Sequence, residues 1–197
     1  MPTDTAASAK RATSFWATAF ILGMFGAGAL LFTNLIQPPW GMAVMLVPML
    51  LLIPMVRASE RMQRAAGSAS PAAARYNRRM LAASFAYVIG FLVAIALFVD
   101  REVSKPVAAM LSLLPTFGTF GMIWAMARYV IEESDEYLRV RTVNAALVAT
   151  GLLLATGTFW GFLTTFGVAP HVPMWAVVPT WAVGLGIGQL VNKVRGA

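Results

Sequence analysis

Long apolar stretches separated by short polar segments dominate the pattern of this chain. Residues 143–191 contain no Lys, Arg, Asp or Glu, and only the Gly-Val-Ala-Pro-His segment at 167–171 interrupts them. A hydrocarbon core about 30 Å thick requires about 20 apolar residues in helical form. Because lipid cannot pair with backbone N–H and C=O groups, each such run predicts a helix. The predicted spans are residues 14–36, 39–56, 80–99, 106–127, 142–166 and 172–192.

These six spans predict an all-α membrane protein with six transmembrane helices, arranged as three helical hairpins. A single transmembrane domain then covers residues 14–192, between an N-terminal tail at 1–13 and a C-terminal tail at 193–197. Transmembrane barrel strands are about 10 residues long and alternate between apolar and polar positions. The runs in this chain are continuous and much longer, which argues against a barrel.

Basic residues lie almost entirely on one side of this predicted topology. Thirteen of the 15 Lys and Arg residues fall in the two tails, the 57–79 loop and the 128–141 loop, while Arg101 and Lys105 lie on the opposite side. Because basic loops stay in the cytoplasm, both termini are predicted to be cytoplasmic. A composition rich in Ala, with Arg favoured over Lys, indicates the inner membrane of a bacterium.

The net charge of +7 would suit nucleic acid, but the charges flank membrane spans, so the topology already explains them. The predicted partners are therefore membrane lipids and not nucleic acid. Basic residues at the cytoplasmic surface attract anionic headgroups. The candidate headgroup residues are the six arginines of the loop between the second and third spans: Arg57, Arg61, Arg64, Arg75, Arg78 and Arg79.

Small residues recur one helical turn apart in several spans and predict close helix packing. The pairs singled out are Gly23 and Ala27, Ala86 and Gly90, Gly157 and Gly161, and Gly184 and Gly188. Two interpretations remain open from the sequence. The small residues pack helices within the bundle, or they form an interface with a second copy of the chain or with a membrane partner subunit.

Prolines recur at equal intervals. One set, at the predicted outer starts of the even spans, is spaced by 67 residues: Pro39, Pro106 and Pro173. A second set lies deeper in the same spans: Pro48, Pro115 and Pro179. The spacing indicates either a triplicated hairpin or equal loop lengths combined with the preference of proline for the first helical turn. Each deep proline removes a backbone hydrogen bond, so this set is predicted to kink the helices structurally or to serve as hinges of a pore.

An acidic cluster forms the predicted turn between the fourth and fifth spans. Its carboxylates, which are weak candidates for binding a metal ion, are Glu132, Glu133, Asp135 and Glu136. The favoured interpretation is structural, because acids complement the dipole at a helix start and Asp135 can pair with Arg139 one turn later. The chain has no Cys and one His, so no catalytic residue or cofactor is predicted.

Residues 135–139 read Asp-Glu-Tyr-Leu-Arg, and residues 158–163 read Thr-Phe-Trp-Gly-Phe-Leu. This pattern resembles one in small uncharacterised bacterial multi-pass membrane proteins, with Asp-Glu-aromatic-x-Arg at a cytoplasmic helix start and Trp-Gly near the far end. The resemblance covers about 30 residues and implies localisation and topology but no catalytic or binding role.

Together these observations predict a non-catalytic structural, accessory or sensory membrane subunit. The alternatives are a small transporter or channel for a neutral or lipophilic solute, using the proline-kinked even helices, and a metal-dependent membrane enzyme.

Overall fold

Helices make up all the regular structure in the described part of the chain. A computed structural model describes residues 2–32, 43–98 and 103–195 of the 197 residues. The helices are α1 (Pro2–Phe32), α2 (Leu46–Leu50), α3 (Leu52–Ala65), α4 (Pro71–Phe98), α5 (Lys105–Glu132), α6 (Glu136–Thr165) and α7 (Val177–Arg195), with a 3₁₀ turn at Met174–Ala176 before α7.

Within the described ranges, four helical segments are long and apolar enough to cross a membrane. They are α4, α5, α6 and the continuous segment Met174–Val194, which contains the 3₁₀ turn and most of α7. The prediction of an all-α protein with membrane-spanning helices is confirmed to this extent. Residues 33–42, which include Pro39 and the facing ends of the first two predicted spans, lie outside the described residues. The count of six spans therefore stays a prediction.

Two of the long helices begin well before the apolar runs that predicted them. α4 begins at Pro71 rather than at residue 80, and α6 begins at Glu136 rather than at residue 142. In both cases a polar residue caps the helix: the Ser70 hydroxyl accepts a hydrogen bond from the Ala73 N–H, and the Asp135 carboxylate accepts from the second helical residue of α6. The apolar run marks what lipid can cover, whereas the cap determines where the helix begins.

Glycines in the left-handed conformation end α3 and α6. Gly67 has φ +69° and Gly167 has φ +72°. After each glycine, the next residue reaches back to the helix: the Ser68 N–H donates to the Gln63 carbonyl at 3.0 Å, and the Val168 N–H donates to the Leu163 carbonyl at 2.8 Å. This is a Schellman arrangement, in which glycine avoids the steric cost of positive φ. The glycine that follows each helix is therefore part of a hydrogen-bonded turn.

The chain divides into two compact units, Met1–Tyr129 and Val130–Ala197. In the first unit, α1 packs against α2 and α3, and α4 packs against α5. In the second unit, α6 packs against α7.

Small side chains occupy the packed surfaces within both units, whereas many large apolar side chains point outward. Ala125, Ala145 and Ala149 are almost completely buried, while Phe25, Phe117 and Phe159 are each exposed over more than half of their surface. A water-soluble core would show the opposite order. Packing of this kind is typical of helices that associate in lipid, where close backbone approach replaces the hydrophobic effect as the attraction between helices.

Candidate functional site

Two glycines of α7 lie against two alanines of α6 in an antiparallel arrangement. A Cβ added to Gly184 would lie 2.7 Å from the Cα of Ala149, and one added to Gly188 would lie 2.6 Å from the Cα of Ala145. Both distances are well below the van der Waals contact of two carbon atoms, about 3.5–4.0 Å. The two glycines therefore allow a backbone approach that no larger residue permits, which supports the interpretation of these residues as packing residues.

Asn192 extends this arrangement by one further turn of α7. It is only 4% exposed. Its amide Nδ2 donates a 2.7 Å hydrogen bond to the backbone carbonyl of Arg141 on α6. The guanidinium Nε of Arg141 in turn donates to Oε1 of Gln189 at 3.3 Å. Gly184, Gly188 and Asn192 thus form one face of α7. The two glycines pack closely against α6, and Asn192 forms a hydrogen bond to it.

Close packing also joins α4 and α5. A Cβ added to Gly90 would lie 2.7 Å from the carbonyl carbon of Leu114, and a Cβ added to Gly118 would overlap the backbone of Tyr87. One turn beyond Gly118, the space in front of Gly121 is limited by the Cβ of Ala83 at 3.0 Å. Gly118 and Gly121 were not singled out from the sequence, although their position on a span that also carries Pro115 was a usable signal.

A small residue also allows close packing between α1 and α2. A Cβ added to Gly23 would lie 2.9 Å from the Cβ of Pro48 on α2. Ala27, one turn further along α1, is 5% exposed. Both predicted packing residues of α1 therefore lie in contact surfaces.

Three predicted packing residues do not lie in such surfaces. Ala86 is exposed, and the buried positions of α4 nearest to it are Ala83 and Gly90. Gly157 and Gly161 are exposed, and nothing lies within 4 Å of a Cβ added to either of them. Small residues four positions apart occur on more than one face of these helices. The spacing alone therefore cannot identify the face that packs against another helix.

The deep prolines differ from one another in their surroundings. Pro115 lies inside α5. Pro48 is the third residue of the five-residue α2, and Pro179 is the third residue of α7. Proline is tolerated in a first turn, because its missing N–H has no intrahelical partner there. Among the described residues, only Pro115 of the three therefore lies in the interior of a helix, whereas Pro48 and Pro179 lie in first turns. A role of these prolines as hinges stays a prediction.

Pro54 explains the break between α2 and α3, which the hydropathy pattern does not predict. α2 ends at Leu50 and α3 begins at Leu52. Proline at 54 has no N–H to donate to the carbonyl four residues earlier, which is that of Leu50. At the break, the Leu51 N–H bonds instead to the Pro48 carbonyl at 3.0 Å.

The acidic residues between α5 and α6 are used within their own turn. The Asp135 carboxylate accepts hydrogen bonds from the N–H groups of Tyr137 and Leu138, at 2.9 and 3.3 Å. Oε1 of Glu133 accepts from the Asp135 N–H at 3.2 Å. Glu136 forms an ion pair with Arg139. The predicted pairing of Asp135 with Arg139 is wrong, because Asp135 is the N-cap and its oxygens face the helix start.

No group of three or more His, Cys, Asp or Glu side chains within the described ranges is placed to hold a metal ion. Glu132 is the last residue of α5, and Glu136 is the first residue of α6. These two carboxylates thus belong to different helices, separated by the turn that Glu133 and Asp135 stabilise.

The six arginines of the predicted headgroup set have different surroundings. Arg64 lies 3.8 Å from the Glu60 carboxylate, and the Arg79 guanidinium lies 5.1 Å from the ring centre of Trp124. Glu60 also accepts a 3.4 Å hydrogen bond from the Asn77 amide on α4. Arg75 and Arg78 are exposed on the first turns of α4.

The remaining two arginines of this set, Arg57 and Arg61, line a groove of about 690 Å³ between α1 and α3. Trp16 and Ser8 of α1 form the opposite wall. The sequence placed Arg57 and Arg61 on one helical face, but it gave no indication that α1 would complete a groove with them.

Comparison of the chain with protein-family models, with curated proteins and with solved structures gave no match. The class of protein therefore follows from the fold alone. In the part of the chain that the structure describes, all regular structure is helical, four segments can span a membrane, and small residues form close helix contacts within each of the two units.

Proposed function

We propose that the protein is a multi-pass protein of the bacterial inner membrane that acts as a non-catalytic structural, accessory or sensory subunit. It has six membrane-spanning helices and cytoplasmic N- and C-termini. It works by packing α6 against a helix of a second copy of the chain or of a membrane partner subunit.

The exposed apolar surface supports the membrane location. Only 6–11% of the most apolar window of each candidate span is buried within the protein. Large apolar side chains such as Phe120, Leu147 and Leu190 are more than 60% exposed. A surface of this extent and character requires lipid or another protein to cover it.

The distribution of charge along the second unit supports the orientation. Asn192 contacts Arg141, so Lys193 lies near the same end of the α6–α7 pair as Asp135 and Arg139. The turn after Gly167 lies at the other end and carries no Lys or Arg. By the positive-inside rule, the end that contains Arg139, Arg141 and Lys193 faces the cytoplasm.

One observation carries the packing function. Gly157 and Gly161 lie one turn apart on α6, both are exposed, and nothing occupies the space where their side chains would be. Glycine inside a helix costs about 1 kcal/mol relative to alanine. At Gly184 and Gly188 that cost is offset by a close helix contact within the chain. For Gly157 and Gly161, a helix from another chain would provide the corresponding gain.

Cysteine cross-linking tests this proposal directly, because the sequence contains no native Cys to remove. In native membranes, Gly161→Cys should form a disulfide-linked dimer at twice the 21.2 kDa chain mass, or a conjugate with a partner subunit under a short thiol-reactive cross-linker. Ala155→Cys is the matched control, since residue 155 is also small and exposed but lies about 120° around α6 from Gly161.

Native mass spectrometry of gently extracted protein then identifies what is bound. A multiple of the chain mass indicates self-association, and a reproducible additional mass identifies a partner. Equal and inefficient cross-linking of Gly161→Cys and Ala155→Cys, with both cysteines equally reactive toward a membrane-soluble maleimide, would mean that lipid covers this face. The packing function would then be wrong.

The two alternative functions have less support. A solute pathway built from three proline kinks would depend on Pro115 alone, and Gly90 packs against the peptide bond that precedes this proline. A metal-dependent enzyme would need the turn between α5 and α6 to bind an ion, although the Asp135 carboxylate already caps α6.

A further inference from the structure

We propose that the groove between α1 and α3 binds the phosphate of an anionic phospholipid, with Arg57 and Arg61 as its ligands. In this site the lipid headgroup is held by the two guanidinium groups, and the glycerol region lies against Trp16. This inference concerns a different surface from the packing face of α6 and does not depend on that face, but it rests on the proposed location of α1 and α3 in the membrane.

The shape of the groove suits a headgroup. Its volume of about 690 Å³ falls in the range of about 300–1,000 Å³ that is usual for small-molecule sites. Its lining extends along α3 from Pro54 to Ala65. At 1.5 Å per residue, this distance is about 16 Å, which is enough to pass from the edge of the hydrocarbon core through the headgroup layer into water.

The residues of the groove are arranged in the order that a phospholipid requires. Arg57 and Arg61 lie one turn apart on the same side of α3, so their guanidinium groups can engage one phosphate together. Trp16 lies next to the predicted membrane span of α1. Tryptophan side chains are enriched at this position, the interface between lipid and water. Alanines at positions 9, 12 and 58 leave the floor of the groove open.

The neighbouring side chains distinguish Arg57 and Arg61 from Arg64 and Arg79 of the same loop. Glu60 lies close to Arg64, and Trp124 lies under Arg79. No acidic side chain is among the residues that line the groove. An anion would therefore meet two cations and no opposing carboxylate in this lining, which is the condition for selective binding rather than general attraction to the surface.

Lipid retention measured by native mass spectrometry tests the site. Protein in detergent is titrated with phosphatidylglycerol, with phosphatidylcholine as the uncharged comparison and inorganic phosphate as the free anion. We expect one phosphatidylglycerol to bind more tightly than any other lipid molecule. A direct hydrogen bond to a charged group contributes about 1.5 kcal/mol or more, which is about tenfold in affinity. Arg57→Gln with Arg61→Gln removes two such contacts and should weaken the first site by roughly 100-fold.

The matched control removes the same charge from the same loop. Arg75→Gln with Arg78→Gln should change the affinity of the first phosphatidylglycerol by less than about twofold, because neither residue lines the groove. A second variant, Ala12→Phe, fills the groove without any change of charge and should also abolish the tight site. Helix content by circular dichroism and a single elution peak establish that each variant is folded.

Three outcomes would overturn the proposal. Equal weakening by the two double arginine variants would mean that only the surface potential attracts lipid. Unchanged binding in Ala12→Phe would mean that the groove is not the site. Displacement of phosphatidylglycerol by millimolar inorganic phosphate would mean that the groove recognises a free anion rather than a lipid.

Discussion

Adding one methyl group at Gly188 tests whether close backbone contact holds the α6–α7 pair together. In Gly188→Ala the new Cβ would lie 2.6 Å from the Cα and 2.8 Å from the carbonyl oxygen of Ala145. Carbon atoms normally rest about 3.5–4.0 Å apart, so the helices must separate by about 1 Å. Both neighbouring atoms belong to the backbone, so no side-chain rotation can relieve the overlap.

The expected loss of stability follows from two opposing terms. Overpacking of this kind costs about 1–3 kcal/mol. Alanine is favoured over glycine inside a helix by about 1 kcal/mol. Gly186→Ala is the matched control, because residue 186 lies on the same helix and nothing is within 4 Å of its added Cβ. Both variants receive the same gain in helix propensity, so their difference isolates the overpacking cost, with Gly188→Ala less stable by about 2 kcal/mol.

Reversible unfolding in mixed micelles provides the assay. Dodecyl sulfate is titrated into dodecyl maltoside while tryptophan fluorescence and circular dichroism are recorded. Trp181 reports on this pair of helices, since its indole N–H donates to the Thr150 hydroxyl at 3.4 Å. Adding Ala145→Gly to Gly188→Ala should not restore stability, because the overlap is with the backbone. If Gly188→Ala proved as stable as Gly186→Ala, the backbone contact would not be a source of stability.

Three further predictions concern polar groups and the turn between α3 and α4. Asp135→Ala should destabilise α6 by about 1 kcal/mol and Asp135→Asn by much less, measured by the same unfolding titration; equal losses would contradict capping as the cause. Asn192→Leu should cost roughly 0.5–1.5 kcal/mol, because the Arg141 carbonyl loses its donor, and a variant of unchanged stability would show that this carbonyl finds another partner. Gly67→Ala should lower the free energy of unfolding by about 1–2 kcal/mol, because alanine is strained at positive φ, and it should speed tryptic cleavage after Arg64. Gly67→Asn should behave more like the parent protein, because asparagine tolerates the left-handed conformation. Equal cleavage rates in Gly67→Ala and the parent protein would contradict a role of Gly67 in holding the turn.

The sequence was sufficient to predict that the described part of the fold is helical and that it contains helices long and apolar enough to cross a membrane. These properties depend on local composition, because a continuous apolar run has only one way to satisfy its backbone in a bilayer. Two helices nevertheless begin several residues before the predicted membrane spans. The caps at Ser70 and Asp135 extend α4 and α6 beyond the apolar runs, and hydropathy carries no information about capping.

The candidate sites were predicted less well, because each depends on which residues of different helices face each other. Gly161 and Gly188 belong to equally good small-residue patterns, yet one is exposed and the other is pressed against Ala145. Pro115 and Pro179 belong to one set in the sequence, because both lie well inside predicted spans. The observed helix starts place Pro115 in the interior of α5 and Pro179 in the first turn of α7. The spacing of residues along the sequence describes one helix, whereas a packing contact depends on the faces of two helices.

The arginines show the same division between sequence and tertiary structure. Their number and their place beside predicted membrane spans follow from the sequence, and these contribute to the net charge and the predicted orientation. The pairing of Arg64 with Glu60 is local to one helix, since the two residues are one turn apart. Only the tertiary structure places Arg57 and Arg61 in the groove. The reason is that α1 supplies the opposite wall from more than 40 residues away along the chain, and the packing of Gly23 against Pro48 brings that wall into place.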